Sequence, residues 1–562
     1  MAHLNHPAAL HRHTLSTSPV RNPTNVAERQ DIPLHLLALI ISFIDDVADI
    51  ARLTRTSRLL YYMTLPRLYE RVTLRSYTEM RYVNGKPEGY GSGSPFSMGL
   101  NALVSRNFTN YVQNFRVLGE WKESDIEDFS KGRVPDNSMM LNIALRAAID
   151  KMQNIQSFGW ELNTKPMQTV YQSLNSRSTL TSFTLRSPSR RIPRPTVLIP
   201  PIPNLKILKV YDIDPLCYPD DISMLLVSSK KLQDLTLHWS PRMRDMGEES
   251  VNMLTYFGRC MTNKHTMKLK RLSLYNMYTR NGGDFDDCIS HESLEEVTFL
   301  NCMGSGDPMT VFLDDTWRIN RPDKVPVNLK TMRGDLVDEA HTLFMARFEG
   351  LERIYHVSQK RSARSKSNSV ATTPATPSPS SASPASTPLN HDTVHLASDY
   401  LAAIQTHHGR TIRHLLLSDR WALSADVISQ LARSCPNLEQ LGIAIREPSP
   451  EAMRLVVSYA PKLFALRMLV RPGSELADKL DSMDPEMHQL AMGTEMWRPE
   501  YANLRYVGFG DLVFELGATI SMGKKRAKPD GDVRFMRVVK LVSRDVVRHI
   551  EIWERDSFEM LA

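Results

Sequence analysis

Large apolar residues recur along the chain in a fixed local pattern, at a first position and then three and five positions later. Because side chains of a strand alternate between the two faces of a sheet, the second and third members of each set share one face of a predicted strand. Leu329/Met332 and Leu351/Ile354 match only the first two positions. The full pattern occurs at Val112/Phe115/Val117, Ile155/Phe158/Trp160, Leu180/Phe183/Leu185, Leu205/Leu208/Val210, Leu232/Leu235/Leu237, Leu269/Leu272/Leu274, Leu294/Val297/Phe299, Ile412/Leu415/Leu417, Leu438/Leu441/Ile443, Leu463/Leu466/Met468 and Leu504/Val507/Phe509.

Helix-like stretches lie between these predicted strands. Ser449 is a predicted N-cap, Pro450 follows at the first helical position, and apolar residues recur at helical spacing until Pro461. Ser424 begins a second stretch of this kind. Many strand patterns start 25 to 27 residues apart, and a unit of that size cannot bury a core alone. The sequence therefore predicts an α/β fold in which parallel strands and helices stack as a solenoid; an irregular α/β domain is the alternative.

These units resemble leucine-rich repeats, whose pattern is L-x-x-L-x-L-x-x-(N/C)-x-L. Leu294, Val297, Phe299 and Cys302 match the first nine positions of that pattern. The resemblance covers about residues 100–510 and implies a leucine-rich-repeat-like solenoid.

A separate apolar segment lies near the amino end. Pro33 is predicted to begin a helix, and Asp45 and Asp46 suit the start of a second helix, where carboxylates meet the positive end of the helix dipole. A third short helix is predicted over residues 57–63, before a turn at residues 65–66. About 40 residues in three helices cannot bury so many aliphatic side chains alone, so we expect some of them to meet a partner or the following repeats. The first helix carries a predicted apolar stripe of Leu36, Leu37, Ile40, Ile41 and Ile44.

Residues 31–72 resemble an F-box, which opens with a Leu-Pro dipeptide, continues with aliphatic residues and an aspartate, and closes with Pro-x-Leu-(Trp/Tyr). Ile32–Pro33 stands at the opening dipeptide, Phe43–Ile44–Asp45 at the turn, and Pro66–Arg67–Leu68–Tyr69 at the closing signature. The chain's ending, residues 546–554, is also similar to that of fungal F-box proteins. The resemblance implies a three-helix F-box ahead of the repeats.

An F-box followed by leucine-rich repeats resembles the substrate-recognition subunit of a cullin-based, SCF-type ubiquitin ligase. The resemblance implies that the chain binds a Skp-family adaptor and through it a cullin, that the repeats bind an unknown protein substrate, and that the chain is not an enzyme. One alternative is an F-box scaffold in an assembly without ubiquitin transfer; another is an enzyme with an unrecognised site on an irregular α/β fold. The implied adaptor-binding residues are Pro33, Leu36, Leu37, Ile40, Ile41, Phe43, Ile44, Ile50 and Leu53.

The predicted strands also present a second, outward face. Residues two, four and six positions after the start of each pattern point away from the predicted core. Tyrosine and arginine are frequent anchors of binding surfaces, so this face is the predicted substrate-binding surface, with a merely solvated face as the alternative. The candidates are Lys209, Tyr211, His238, Arg271, Tyr275, Glu296 and Arg467, and the same rule includes His414 and Tyr506.

Charge does not change this interpretation. The 562-residue chain has a formal net charge of +7, but two short clusters carry that excess and the remainder is nearly neutral. The clusters are Lys360, Arg361, Arg364 and Lys366, and Lys524, Lys525, Arg526 and Lys528. Because phosphate binding needs a continuous basic surface, we expect no nucleic-acid partner.

Several other classes of protein are also disfavoured. The five cysteines are widely spread, so their spacing builds neither a disulfide framework nor a zinc site, and a reducing cytoplasmic or nuclear compartment is expected. The longest apolar run, residues 34–44, is 11 residues, whereas a membrane span needs about 20. Without a recognisable catalytic or phosphate-binding motif, we expect no cofactor and no metal. His407 and His408 are expected at a helix end, where a cation suits the dipole.

Composition completes the predicted organisation. Residues 1–30 form a polar tail and residues 358–391 a Ser/Thr/Pro-rich insertion, and both contain too few large apolar residues to order. The F-box occupies residues 31–72, the two parts of the solenoid occupy residues 73–357 and 392–515, and residues 516–562 form a C-terminal cap or tail.

Overall fold

The structure, a computed structural model, describes residues 32–557 except for residues 84, 90–93, 123–135, 187–197, 214–219, 241–252, 277, 280–287, 301–310, 313–326, 336, 338, 359–390, 448, 472, 483 and 523–533. The predicted polar tail, the Ser/Thr/Pro-rich insertion apart from its ends, both basic clusters and Cys302 lie outside the described residues. The chain forms two compact units, one ending at Leu68 and the other beginning at Tyr69.

The first unit contains α1 (Leu34–Ser42), α2 (Val47–Leu53) and α3 (Arg58–Leu68). Pro33 directly precedes α1, and the Asp46 carboxylate caps α2 by accepting a 2.8 Å hydrogen bond from the Ala48 N–H. In the structure α1 and α2 begin at the positions where the sequence predicts helices. The turn expected at residues 65–66 is wrong, because α3 continues through Pro66. Proline keeps a helical φ and loses only one donor there, close to the end of the helix.

One large, mostly parallel sheet organises the second unit. Its strands and those of two small two-stranded sheets, β2–β3 and β10–β12, are β1 (Arg71–Ser76), β2 (Tyr82–Val83), β3 (Lys86–Pro87), β4 (Asn114–Gly119), β5 (Ser157–Leu162), β6 (Ser182–Arg186), β7 (Ile207–Ile213), β8 (Asp234–Trp239), β9 (Arg271–Tyr275), β10 (Tyr278–Thr279), β11 (Glu296–Leu300), β12 (Val311–Phe312), β13 (Thr331–Gly334), β14 (Arg353–His356), β15 (His414–Leu416), β16 (Ala422–Leu423), β17 (Gln440–Ile445), β18 (Ala465–Met468), β19 (Tyr506–Phe509), β20 (Leu512–Met522) and β21 (Arg534–Val542).

Helices connect many of these strands. They are α4 (Pro95–Ser105), α5 (Asp136–Lys151), α6 (Gln168–Asn175), α7 (Asp220–Ser228), α8 (Met253–Thr262), α9 (Glu339–Met345), α10 (His391–Ala403), α11 (Ala425–Ser434), α12 (Pro450–Tyr459), α13 (Glu475–Ser482), α14 (Pro485–Glu495) and α15 (Glu551–Glu554). The Ser424 and Ser449 hydroxyls cap α11 and α12, as predicted, by accepting hydrogen bonds from Val427 N and Ala452 N.

The parallel strands that form the continuous ladder of the large sheet pair in chain order, and we call them the main strands. They are β1, β4 to β9, β11, β13 to β15 and β17 to β19. From β1 to β19, each pairs in parallel with the next main strand along the chain, and β20 and β21 then add antiparallel strands. The register follows the apolar pattern: Phe115 lies opposite Phe158, Phe158 opposite Phe183, and the same position continues to Leu466 opposite Val507. Every segment with the pattern is a strand, so the predicted α/β class with parallel strands and helices is confirmed.

The core of the second unit lies between the helices and one face of the sheet. The second and fourth residues of the strands line this face, and the apolar sides of helices such as α5, α6 and α11 are buried in the same cluster. Sequence reasoning missed β1, although Tyr69, Val72 and Leu74 have the same spacing as the other sets. That spacing places the start of the second unit earlier than the predicted boundary at residue 72.

In several repeats the residue directly before the apolar pattern is an asparagine whose side chain bonds to the preceding repeat. The sequence analysis also missed this feature. In each case the side-chain Nδ2 donates a hydrogen bond to a backbone carbonyl in the preceding turn, at 2.6 to 2.8 Å. These asparagines are Asn154, Asn204, Asn328, Asn437 and Asn503. Two of them also accept from a lysine of the following turn, since Lys231 Nζ lies 2.7 Å from Asn204 Oδ1 and Lys462 Nζ 2.7 Å from Asn437 Oδ1.

The Asn437→Ala substitution is expected to lower the free energy of unfolding by about 1 kcal/mol, because it removes the bond to the Arg410 carbonyl and leaves that acceptor unpaired. Chemical unfolding followed by circular dichroism measures this change. Asn101→Ala is the control, because Asn101 is an exposed helical residue at which alanine is neutral or stabilising. Equal stability of Asn437→Ala and the wild type would contradict the role assigned to these asparagines.

The structure contradicts the expectation that His408 carries a positive charge at a helix end. It lies in the π-helical turn Ile404–His408 and is fully buried, with Nε2 3.0 Å from the Met345 carbonyl oxygen and Nδ1 accepting a 3.4 Å bond from Leu351 N. Burial lowers the pKa of His408 to about 4. The ring is therefore neutral at physiological pH and joins two turns of the chain.

Candidate functional site

An apolar surface covers much of α1 in the first unit. Leu36, Leu39, Ile40 and Phe43 recur at helical spacing, and all four are exposed, Phe43 by 76%. Ile32, Leu34 and Val47 beside them are exposed as well. We call these seven residues the α1 surface. A cluster of exposed large apolar residues of this kind is typical of protein-binding sites.

The structure separates the predicted adaptor-binding residues into three groups. Pro33, Leu36, Ile40 and Phe43 are exposed, whereas Leu37, Ile44 and Leu53 are half-buried. Ile41 and Ile50 are buried, so their assignment as contact residues is wrong: side chains with almost no exposed surface cannot touch a partner. Leu39, which sequence reasoning omitted, belongs to the exposed side, and its spacing from Leu36 and Phe43 was the available signal.

On the second unit, the outward face of the sheet carries the first, third and fifth residues of the main strands; we call it the polar sheet face. Residues 546–557, which we call the C-terminal segment, cross the part of this face formed by β11 to β19. Arg333 Nε donates to the Arg555 carbonyl at 2.9 Å, Arg467 Nη1 donates to the Ile552 carbonyl at 2.9 Å, and the Ile552 N–H donates to Gln440 Oε1 at 3.1 Å.

Apolar contacts hold the same segment. Val547, Ile550, Ile552 and Trp553 form a buried cluster with sheet residues that include Tyr355, Leu416, Ala444 and Ala465. Small outward residues make room for them: a Cβ placed on Gly508 would lie 2.9 Å from Trp553 Cζ2. The C-terminal segment is therefore packed into the sheet as part of the fold.

This covering corrects two predicted substrate contacts. Arg467 is 1% exposed and forms a 2.8 Å ion pair with Asp556, which is equally buried, and Glu296 pairs with Arg555 at 2.5 Å. Neither side chain is part of an open face. The same applies to His414, which lies 3.2 Å from Glu551, and to Tyr506, whose ring contacts His549 at a centroid distance of 5.7 Å.

Glu551 is the most connected carboxylate of the C-terminal segment. The Tyr355 hydroxyl donates to Glu551 Oε2, His414 Nδ1 lies 3.2 Å from the same oxygen, and Arg353 and Arg555 lie 3.8 and 3.6 Å from the carboxylate. Burial raises the pKa of Glu551, but the hydrogen bonds from His414 and Tyr355 and the charge of Arg555 outweigh that effect and lower the pKa to about 2. Glu551 therefore stays ionised under almost all conditions.

The pKa of Glu551 predicts an acid-sensitive contribution to stability. Its folded pKa lies below the ordinary value of 4.5, so the stabilisation is complete above the ordinary pKa and is lost as the pH falls toward the folded one. Its full size is on the order of 3 kcal/mol. We expect the difference in free energy of unfolding between the wild type and Glu551→Gln to shrink as the pH is lowered from about 6 to about 3. A difference that stays constant across this range would contradict the assigned pKa.

The part of the polar sheet face formed by β4 to β9 is not covered by the C-terminal segment in the described residues. Three arginine–carboxylate pairs lie on it: Arg116–Glu161 at 2.5 Å, Arg186–Asp212 at 2.7 Å and Arg271–Asp234 at 2.9 Å. In each pair the arginine is the more exposed partner. The outer layer of this region therefore consists of guanidinium groups above carboxylates.

The remaining predicted substrate contacts lie in this region, which no part of the described C-terminal segment covers. Arg271 is exposed and Lys209 is half-buried, with no carboxylate within 4 Å of Lys209 among the described residues. His238 is half-buried beside Asp212, and burial lowers its pKa, an effect that the Asp212 charge partly offsets. Tyr211 and Tyr275 face outward but are buried by their neighbours. Of the predicted set, Arg271 thus remains exposed and Lys209 half-buried, whereas the His238 side chain is only 14% exposed and lies against Asp212.

The described residues show neither a metal site nor a membrane span. Nowhere in them do three or more His, Cys, Asp or Glu side chains lie close enough together to hold a metal ion. No helix within the same residues is both long enough and apolar enough to cross a bilayer.

Comparisons with known proteins add no relative. The chain matches no protein-family model, and no curated protein shows significant sequence similarity to it.

Proposed function

We propose that this chain is the substrate-recognition subunit of a cullin-based, SCF-type ubiquitin ligase. In this proposal the first unit is an F-box that binds a Skp-family adaptor through the α1 surface, and the second unit binds the protein substrate. The chain bridges two proteins and performs no chemistry itself.

The observation that carries the proposal is the α1 surface. Its seven large apolar side chains lie within 16 consecutive positions, residues 32–47, and all are exposed. Covering side chains that are about half exposed contributes on the order of 10 kcal/mol before the cost of association is subtracted. Without a partner, the side chains of the α1 surface stay in water and this stabilisation is lost. A protein partner that covers them therefore explains best why they are clustered. The F-box resemblance of residues 31–72 supports a Skp-family adaptor as that partner.

We also infer that the second unit is a leucine-rich-repeat-like solenoid. Supporting this, each main parallel strand pairs with the next along the chain, with the apolar positions of the pattern opposite one another, and asparagine bonds recur at equivalent positions. In repeat proteins each unit contacts mainly its neighbours, which leaves one long strand face for binding.

Co-purification tests the proposed function. The full chain is expressed together with a tagged Skp-family adaptor and a cullin, and the proposal expects both to be retained in one complex. Retention of the adaptor without the cullin would instead favour the scaffold without ubiquitin transfer. Failure to retain the adaptor would contradict both.

A further inference from the structure

We propose that the part of the polar sheet face formed by β4 to β9 binds an acidic peptide segment of the substrate, along a diagonal of three cations, Arg186, Lys209 and Arg271. This inference rests on the proposed function, because it names the kind of substrate that the second unit recognises. We call these three residues the basic diagonal.

The register of the strands places these cations on one line. Arg186 is the fifth residue of β6, Lys209 the third of β7, and Arg271 the first of β9, so all three share the outward face. Strands lie about 4.8 Å apart and rise about 3.3 Å per residue, so the line is about 20 Å long. An extended segment of about six residues spans that distance, with side chains that can reach all three cations.

The available hydrogen-bond donors favour carboxylates. Arg186 and Arg271 each contact one carboxylate, that of Asp212 or Asp234, and a guanidinium with five N–H donors can serve a second. Lys209 has no carboxylate within 4 Å among the described residues, and it lies between the two arginines on the diagonal. Charge-assisted hydrogen bonds of this kind are stronger than neutral ones and select for acidic ligands.

The C-terminal segment shows the same chemistry on the neighbouring part of the same face. It crosses the strands, and it brings the Glu551 carboxylate to 3.8 Å from Arg353 and the Asp556 carboxylate to 2.8 Å from Arg467. The outward arginines of this sheet therefore already accept a polypeptide that presents acidic side chains to them. A substrate segment on the basic diagonal would continue that arrangement.

A nucleic acid fits this region less well than a peptide. Binding of single strands depends on aromatic side chains that stack on bases. The aromatic residues at outward positions of β4 to β9 are Tyr211 and Tyr275, and both are buried.

Fluorescence anisotropy with the full chain tests the inference. The probe is a fluorescein-labelled Gly/Ser peptide with three glutamates spaced to match the basic diagonal, compared with glutamine and lysine versions and with oligo-dT. The glutamate peptide should bind most tightly, and Lys209→Glu should weaken that binding about tenfold, as expected for loss of a charged contact. Lys209→Gln should weaken it less.

The control variant is Arg410→Glu, which makes the same kind of charge change at an exposed position away from the diagonal. It should leave the affinity for the peptide unchanged, and thermal unfolding should show that all three variants are folded. Equal binding of the glutamine peptide, tighter binding of oligo-dT, or an unchanged affinity of Lys209→Glu would overturn the inference. Adaptor binding is measured on the same variants: its retention without peptide binding refutes only this inference, and its absence refutes the proposed function.

Discussion

The Ile40→Asp substitution is expected to weaken binding of a Skp-family adaptor at least about 100-fold. Ile40 lies at the middle of the exposed side of α1 and is 54% exposed, so it is available for contact without any rearrangement. Burying its side chain contributes about 2 kcal/mol, and burying an unpaired carboxylate in its place adds a larger penalty. The combined loss exceeds the roughly 3 kcal/mol that corresponds to a 100-fold change. Phe43→Asp is expected to act in the same direction.

Ile143→Asp is the matched control for this experiment. Ile143 lies on α5 of the second unit and is 59% exposed, so the same substitution places the same charge at an almost equally exposed isoleucine. Adaptor affinity is measured by isothermal titration calorimetry of the full chain, and circular dichroism verifies the fold of each variant. If Ile40→Asp binds as tightly as Ile143→Asp, the α1 surface is not the docking site.

Asp556→Ala is expected to lower the free energy of unfolding of the second unit by about 3–5 kcal/mol. The Asp556 carboxylate forms a 2.8 Å ion pair with Arg467 Nη1, and both side chains are 1% exposed. Removing one partner leaves a buried guanidinium with an uncompensated charge, which costs far more than the pair contributes as a whole. Chemical unfolding of the full chain measures the effect.

Two further variants isolate the cause of this loss. Asp511→Ala removes the carboxylate of the Arg544–Asp511 pair, which has a similar distance of 2.6 Å but whose two side chains are both exposed. The free energy of unfolding should therefore change by less than about 1 kcal/mol. The double variant Arg467→Met/Asp556→Leu replaces the buried pair with apolar side chains and should recover most of the stability. Equal effects of Asp556→Ala and Asp511→Ala would show that the C-terminal segment is not buried against β18.

The sequence was sufficient for the parallel strands that carry the apolar pattern, because each of them is buried on one face by its neighbours. The second and fourth residues of a strand such as β4 must be apolar to pack under the helices, and this requirement repeats in most of the units. Ser424, Ser449 and Asp46 were also predictable, since an N-cap depends only on the next few residues. These features are local, and a local pattern can encode them.

The exposed side of α1 was harder to predict. Residues 34–41 are apolar except for His35, so the 3.6-residue period does not distinguish the inner side from the outer one. The predicted stripe mixed Ile41, which is buried, with Ile40, which is exposed.

The covering of the polar sheet face could not be predicted from local pattern at all. Arg467 contacts a residue 85 positions away and Arg333 contacts one 222 positions away, separations at which no spacing rule operates. A weaker signal existed, because Gly442, Ala444, Ala465 and Gly508 place small residues at outward strand positions. Small outward residues on adjacent strands indicate that another part of the chain lies over them.

Hydrogen exchange of the full chain, with and without a Skp-family adaptor, tests the central claim most directly. Docking through the α1 surface predicts slower exchange of backbone amides in residues 34–53 on addition of adaptor, with the main strands of the second unit unchanged. Unaltered exchange in residues 34–53 at saturating adaptor, or protection confined to the polar sheet face, would contradict the claim that this surface is built for the adaptor.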